Sequence, residues 1–246
     1  MIKDGNINRR IVQWKFAFAG VVNMFIIQKE MTRPSAELLR EFEALSTPLV
    51  VDSMGRFNAM RSCMRAVYPQ ARCCGSAVTV KCGPGDNLMI QAGLKYAQQG
   101  DVLVVDAEDA RDFGHFGEIM ALNAQRKGIR GLIIDGGVRD IADLEKMDFP
   151  VFATGVSPRG TGKTMGGYVN LPISCGGVSV SPGDIILADC CGVAVIPAGI
   201  APEVLEKAQK KEAAEKEMLK RIADGEDLYD ILDYEESLKK IGVKFL

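Results

Sequence analysis

At 246 residues the chain holds one large domain or two small ones, and its 47% apolar and 25% charged residues are the proportions of an ordinary soluble globular protein. A net charge of −2 supplies no basic field for nucleic acid. The single histidine, His115, excludes a His-rich zinc site and any mechanism that needs two imidazoles.

The first thirty residues, MIKDGNINRRIVQWKFAFAGVVNMFIIQKE, join a basic start to an apolar run over 16–27. Signal peptides share that pattern, but no A-x-A cleavage site follows, and the run is too short to span a bilayer. Residues 1–30 are expected to be a leader outside the fold, with a peripheral anchoring or interface helix as the alternative. Residues 31–246 are expected to form one domain that includes the C-terminal helices.

Helix 36–45 follows Pro34 and Ser35, and 47–56 reads as a cap with a short helix. Segments 75–81 and 101–106 are Val-rich strands bounded by Gly or Pro. Between them, 86–98 is a helix with Leu88, Ile90, Ala92 and Leu94 on its apolar face. Helix 118–127, strand 131–135, helix 141–145 and strand 151–154 come next. A Gly-rich loop, 155–167, precedes strands 168–173, 177–180, 185–189 and 193–196. A long charged helix, 202–223, and an acidic tail helix near 228–240 end the pattern. Strands followed by helices, then a late cluster of short strands, argue for one α/β domain layered on a mixed sheet. The 202–223 helix is polar on most faces, which suits either solvent or a neighbouring subunit.

Seven cysteines (63, 73, 74, 82, 175, 190 and 191) show no CxxC spacing, and most lie in apolar strand-like runs. They read as small buried hydrophobes in a reducing, cytoplasmic setting rather than as a disulfide framework. No G-x-S-x-G elbow accompanies His115, so catalysis falls to carboxylates, Arg, Lys or Cys. SPRGTGKT (157–164) imitates a phosphate loop, but Ser157 stands at its first glycine and a strand, not a helix, follows. It is expected to be a turn-rich packing or interface loop. In GPGDN (83–87), Asp86 is an N-cap by position, with a helix-mouth anion site reached by Asn87 as the functional alternative. Asp106, Glu108, Asp109 and Asp112 follow a strand end, where solvated acidic loops are the common case.

Residues 117–144, GEIMALNAQRKGIRGLIIDGGVRDIADL, are different in kind. A helix from 118 rises about 1.5 Å per residue, and a strand over 131–135 runs back at about 3.3 Å per residue. The return brings Asp140 toward the helix start, so that Glu118, Asp140, Arg139 and the free helix N–H groups converge on one pocket. Such a pocket suits a cation and an anionic substrate together. A surface ion pair, or a cap for helix 141–145, is the structural alternative for Arg139 and Asp140.

GEIMALNAQRKGIRGLIIDGGVRD, with SPRG at 157–160, CGGVSVSPGDIILAD at 175–189 and GVAVIP at 192–197, resembles the regulator-of-ribonuclease-activity-A-like family, which includes the 4-hydroxy-4-methyl-2-oxoglutarate aldolases. The resemblance covers roughly residues 35–240. It implies a swivelling-domain-like α/β/β fold and a metal-dependent lyase. Such an enzyme releases pyruvate from 4-hydroxy-2-oxo acids and decarboxylates oxaloacetate. The backbone of Gly117, Glu118, Ile119 and Met120 would seat the pyruvate carboxylate. Arg139 would contact substrate, and Asp140 would ligate a divalent cation, magnesium or alternatively manganese. The resemblance further implies a homotrimer or hexamer with sites between subunits, where Glu212 or Glu215 of an adjacent chain would assist. Glu118 departs from the aspartate usual in the aldolases. No Schiff-base lysine is required, and Lys81 and Lys163 are candidates by location alone. The competing expectation is a non-catalytic, ribonuclease-regulating interaction module, against which the presence of Asp140 weighs.

Overall fold

The computed structural model describes residues 25–245. In chain order the elements are β1 (Ile26–Ile27), α1 (Ala36–Glu43), α2 (Thr47–Ser53), β2 (Arg65–Ala66), β3 (Cys73–Lys81), α3 (Leu88–Tyr96), β4 (Asp101–Ala110) and α4 (Glu118–Arg126). They continue with β5 (Gly131–Val138), α5 (Ile141–Lys146), β6 (Val151–Val156), β7 (Tyr168–Val169), β8 (Ile173–Cys175) and β9 (Val178–Val180). The last are β10 (Ile185–Asp189), β11 (Gly192–Ile196), α6 (Ala201–Ala223), α7 (Leu228–Ile231) and α8 (Tyr234–Lys240).

Strands β3, β4, β5 and β6 run parallel as the centre of a mixed sheet. β3 and β5 are almost wholly buried, as are the first halves of β4 and β6, as expected of strands covered on both faces. Antiparallel β10 and β11 extend the sheet from β3, β2 pairs with β6, and β7 pairs with the far end of β3. One face carries α3, α4 and α5, whose Ile90, Leu94, Ala121, Ala124 and Leu144 pack on Val80, Val105 and Ile134. The opposite face is covered by the β8–β9 hairpin through Ile173, Cys175 and Val180. A third cluster packs α1, α2 and the root of α6 against β10 and β11. The layering is the expected α/β/β arrangement with a long C-terminal helix.

Differences from the expected elements have local causes. Strand β4 runs on to Ala110 through a bulge where Glu108 and Asp109 both take left-handed backbone. The span 168–173 is two strands, because Asn170 is left-handed and Pro172 cannot donate to a ladder. The tail is two short helices divided at left-handed Asp233. The expected leader boundary falls inside the structure: Ile26 and Ile27 pair in parallel with β7, and the Asn170 side-chain amide donates to the Gln28 carbonyl at 2.9 Å. The leader expectation for residues 1–24 lies outside the described residues. In α6 only Ala201, Val204 and Ala208 are buried, and beyond them Leu219 and Ile222 face outward. No helix among the described residues is long and apolar enough to cross a membrane.

Candidate active site

The carboxyl ends of β4 and β5 open into a cavity of about 240 Å³ lined by Asn87, Gly114–Met120 without Glu118, Arg139, Asp140, Gly160, Thr161 and Lys163. This edge is where ligands collect in α/β sheets, because the strands end there and the helices begin. Its shape depends on close backbone crossings. The segment 111–115 lies directly on β5 at Gly137, where an added Cβ would overlap the Arg111 carbonyl. That crossing lets the Gly137 carbonyl accept from the His115 amide at 2.9 Å.

Asp140 sits at the N-cap position of α5 in left-handed backbone, φ 58° and ψ 40°, yet its side chain makes no cap hydrogen bond to that helix. Its Oδ2 instead accepts from the Glu118 amide at the head of α4, at 3.2 Å, and lies 3.5 Å from Arg139 Nε. A left-handed non-glycine residue costs on the order of 1 kcal/mol or more. Here the strain aims a carboxylate away from its own helix and into the mouth of another. Gly117 makes the approach feasible, since a Cβ there would overlap Asp140 Oδ2. Asp140 thus holds the N-cap position through its carbonyl without a side-chain cap, and the ion pair with Arg139 is present.

Along the turn at 117–120, the Glu118 amide is taken by Asp140, and the Met120 and Ala121 amides by the Gly117 carbonyl. The amides of Gly117 and Ile119 have no acceptor among the described residues. Two free N–H groups at a helix start, with the helix dipole behind them, form a seat for an anion. The Glu118 side chain is exposed and is not part of the cavity wall.

His115 is fully buried beneath this floor. Its Nε2 accepts from the Gly85 amide at 3.1 Å, and Nδ1 lies 3.1 Å from the Gly137 carbonyl. Only a neutral ring with its proton on Nδ1 satisfies both. Burial pushes its pKa below the usual histidine value, in agreement with that tautomer. The carbonyl of His115 accepts from Asn87 Nδ2 at 3.0 Å. Asn87 is 7% exposed, and its Oδ1 has no donor. A buried acceptor left unpaired is a costly group.

The roof is the 157–165 loop. Asp86 Oδ1 accepts from the Leu88 amide at 2.8 Å, starting α3, while Oδ2 accepts from Thr164 and Met165 amides at 2.6 and 3.0 Å. Burial opposes that charge, but the three N–H donors outweigh it and hold Asp86 below the usual carboxylate range. Backbone bonds from Asn87 to Gly162 and from Gly162 to Gly85 add to the clasp, and Arg159 lies 4.3 Å over the Phe113 ring. Lys163 is thus carried to the cavity by a loop expected only to pack.

The family model described as "RraA-like: Aldolase/RraA" matches residues 47–195. The chain belongs to the Aldolase/RraA family. A Halalkalibacterium halodurans relative named "Putative 4-hydroxy-4-methyl-2-oxoglutarate aldolase" is 34% identical over 194 residues, which is 79% of this chain and 92% of that protein. An uncharacterized Pseudomonas syringae protein of solved structure aligns with TM-score 0.73 at 28% identity, covering 82% of this chain and 95% of its own. Streptomyces coelicolor RraAS2, described as an unusual member of the RNase ES inhibitor RraA protein family, aligns with TM-score 0.70 at 27% identity. That alignment covers 76% of this chain and 98% of its own.

In this RraA-like chain the remaining sequence candidates lie away from the cavity. Lys81 is held between Asp106 and Glu108 at 3.0 and 2.9 Å, and Asp109 pairs with Arg111 at 2.7 Å. Asp112 contributes only its carbonyl, to the Ser157 hydroxyl. Glu212 and Glu215 pair with Lys216 and Lys211 of their own helix at 3.0 and 3.7 Å. Nothing in the sequence marks the meeting of the lone histidine with the GPGDN turn, since His115 and Asn87 stand 28 residues apart.

Proposed function

We propose that the chain is a divalent-cation-dependent lyase. It releases pyruvate by retro-aldol cleavage of 4-hydroxy-2-oxo acids of the 4-hydroxy-4-methyl-2-oxoglutarate type, and by decarboxylation of oxaloacetate. The observation that carries this reading is the left-handed Asp140 carboxylate beside the free amides of Gly117 and Ile119, with the Arg139 guanidinium half exposed above them.

The substrate's pyruvyl carboxylate seats on those two amides. Arg139, with no partner but Asp140 among its side-chain contacts, turns its remaining donors to the 2-keto oxygen and offsets the charge that develops there. In both reactions the C3–C4 bond breaks and its electron pair becomes the pyruvate enolate. The aldol substrate gives its 4-hydroxyl proton to water as C4 becomes the carbonyl of a second oxo acid, and oxaloacetate loses carbon dioxide. The enolate takes a proton from water at C3 to become pyruvate.

The donor set suits a hard cation. Asp140 Oδ1 has no hydrogen-bond partner among the described residues, and both nitrogens of His115 are engaged elsewhere. One carboxylate with the rest of the shell from water and substrate is the manner of magnesium, or of manganese. When bound, such an ion supplies Lewis-acid stabilisation of the enolate. The outward Ile119 at the cavity rim, 80% exposed, and the bare distal half of α6 support a homo-oligomer with sites between subunits. Glu212 or Glu215 of a neighbouring copy is then the additional acid.

The test is a coupled pyruvate assay on oxaloacetate and 4-hydroxy-4-methyl-2-oxoglutarate, with magnesium and with chelator. Chelator-sensitive turnover that Asp140→Ala abolishes is the expected result. Absence of turnover on both substrates with magnesium present overturns the reading in favour of a ribonuclease-regulating module.

A further inference from the structure

We infer that the tip of the β10–β11 hairpin binds a thiophilic divalent cation of the zinc class, independently of the cavity at α4. Asp189 and Gly192 face each other across the ladder, so Cys190 and Cys191 alone make the turn between them. Both cysteines are exposed, whereas Asp189 is 8% exposed. One donor atom from each of the three residues lies within 4.8 Å of the others. A tetrahedral ion with ~2.3 Å bonds holds two sulfurs about 3.8 Å apart. Side-chain rotation at the turn is enough to close that difference.

The carboxylate is fixed from behind. Asp189 Oδ2 accepts from the Thr47 amide at 2.8 Å, and Oδ1 accepts from the Thr47 hydroxyl at 2.7 Å and the Cys191 amide at 2.8 Å. Three of roughly four lone-pair directions are used, and one on Oδ2 remains for a ligand bond. Hydrogen bonds of this kind orient the donors of metal sites and tune them. By contrast Cys73, Cys74, Cys82 and Cys175 are buried. Loading the tip releases two S–H protons to solvent as two sulfur–metal bonds form, with no change of oxidation state. Two sulfurs and one oxygen leave a fourth position for water. Soft donors select zinc or cadmium, where the oxygen-lined cavity selects magnesium.

Cadmium(II) is the probe. The full chain, reduced and freed of chelator, is titrated while the ultraviolet thiolate-to-cadmium charge-transfer band is followed. The expected result is saturation at one ion per chain with the amplitude of two thiolates, and bleaching of the band by added zinc. Cys190→Ser and Cys191→Ser abolish the band while their circular dichroism and pyruvate release stay unchanged, and Cys63→Ser retains it. Asp189→Asn weakens cadmium binding about tenfold. The proposal is overturned by a silent titration of a chain whose thiols are counted as free, or by a band that survives both serine variants. A two-hydrogen mass loss in the 190–191 peptide after cadmium addition also overturns it, since the pair would then have formed a disulfide.

Discussion

Asp140 occupies the head of α5, but its carboxylate bonds to the amide of Glu118 at the head of α4, 3.2 Å away. Position and direction are thus separated, and the two can be varied independently. Asp140→Gly removes the carboxylate from a backbone that glycine adopts freely. We expect a melting free energy within about 1 kcal/mol of the parent, because strain relief offsets two exposed contacts. Magnesium-dependent pyruvate release should fall at least a hundredfold. A large loss of stability in urea denaturation would show that Asp140 holds the fold rather than the site.

Gly117→Ala tests the approach itself. The φ and ψ of Gly117 are extended and open to any residue, so the effect comes from overlap of the new Cβ with Asp140. Activity should drop by two orders of magnitude with far-ultraviolet circular dichroism unchanged.

The parallel βα core was legible because its strands are unbroken apolar runs and its helices keep a clear apolar face. Where acidic residues interrupt a strand, as at Glu108 and Asp109, the pattern reads as loop although the ladder resumes beyond them. Arg139, Asp140 and the 117–120 turn were legible because one helix and one strand separate them, a distance that geometry can bridge. Asn87 meets His115 from 28 residues away, and Thr164 meets Asp86 from 78. Contacts of that range leave no periodic trace. The Gly162–Lys163 segment lacks the helix that a phosphate cradle needs, and in the fold it lies over the cavity instead.

His115 gives a pH dependence with a definite sign. Its folded pKa lies below the unfolded value near 6.5, so the unfolded chain binds the proton first on acidification. Stability is fully present above that value and is lost as pH falls through it toward the depressed folded pKa. Melting temperatures between pH 7.5 and 5 should show this slope in the parent and a flatter one in His115→Gln. As the chain has one histidine, its ring proton signal reports the folded pKa directly.

Asp86→Ala strips three N–H groups of their acceptor, at the start of α3 and in the roof. The expected cost is about 2–4 kcal/mol of unfolding free energy. Faster amide exchange at Thr164 and Met165 than in the parent would accompany it.

The same carboxylate also sets a dimension. Asp86 fastens Leu88 below and Thr164 above, beside the Asn87–Gly162 and Gly162–Gly85 backbone bonds, so the length of one side chain contributes to the headroom of the cavity. Asp86→Glu inserts a single methylene into that strut. It is the smallest change by which the roof could be shifted without touching Arg139 or Asp140.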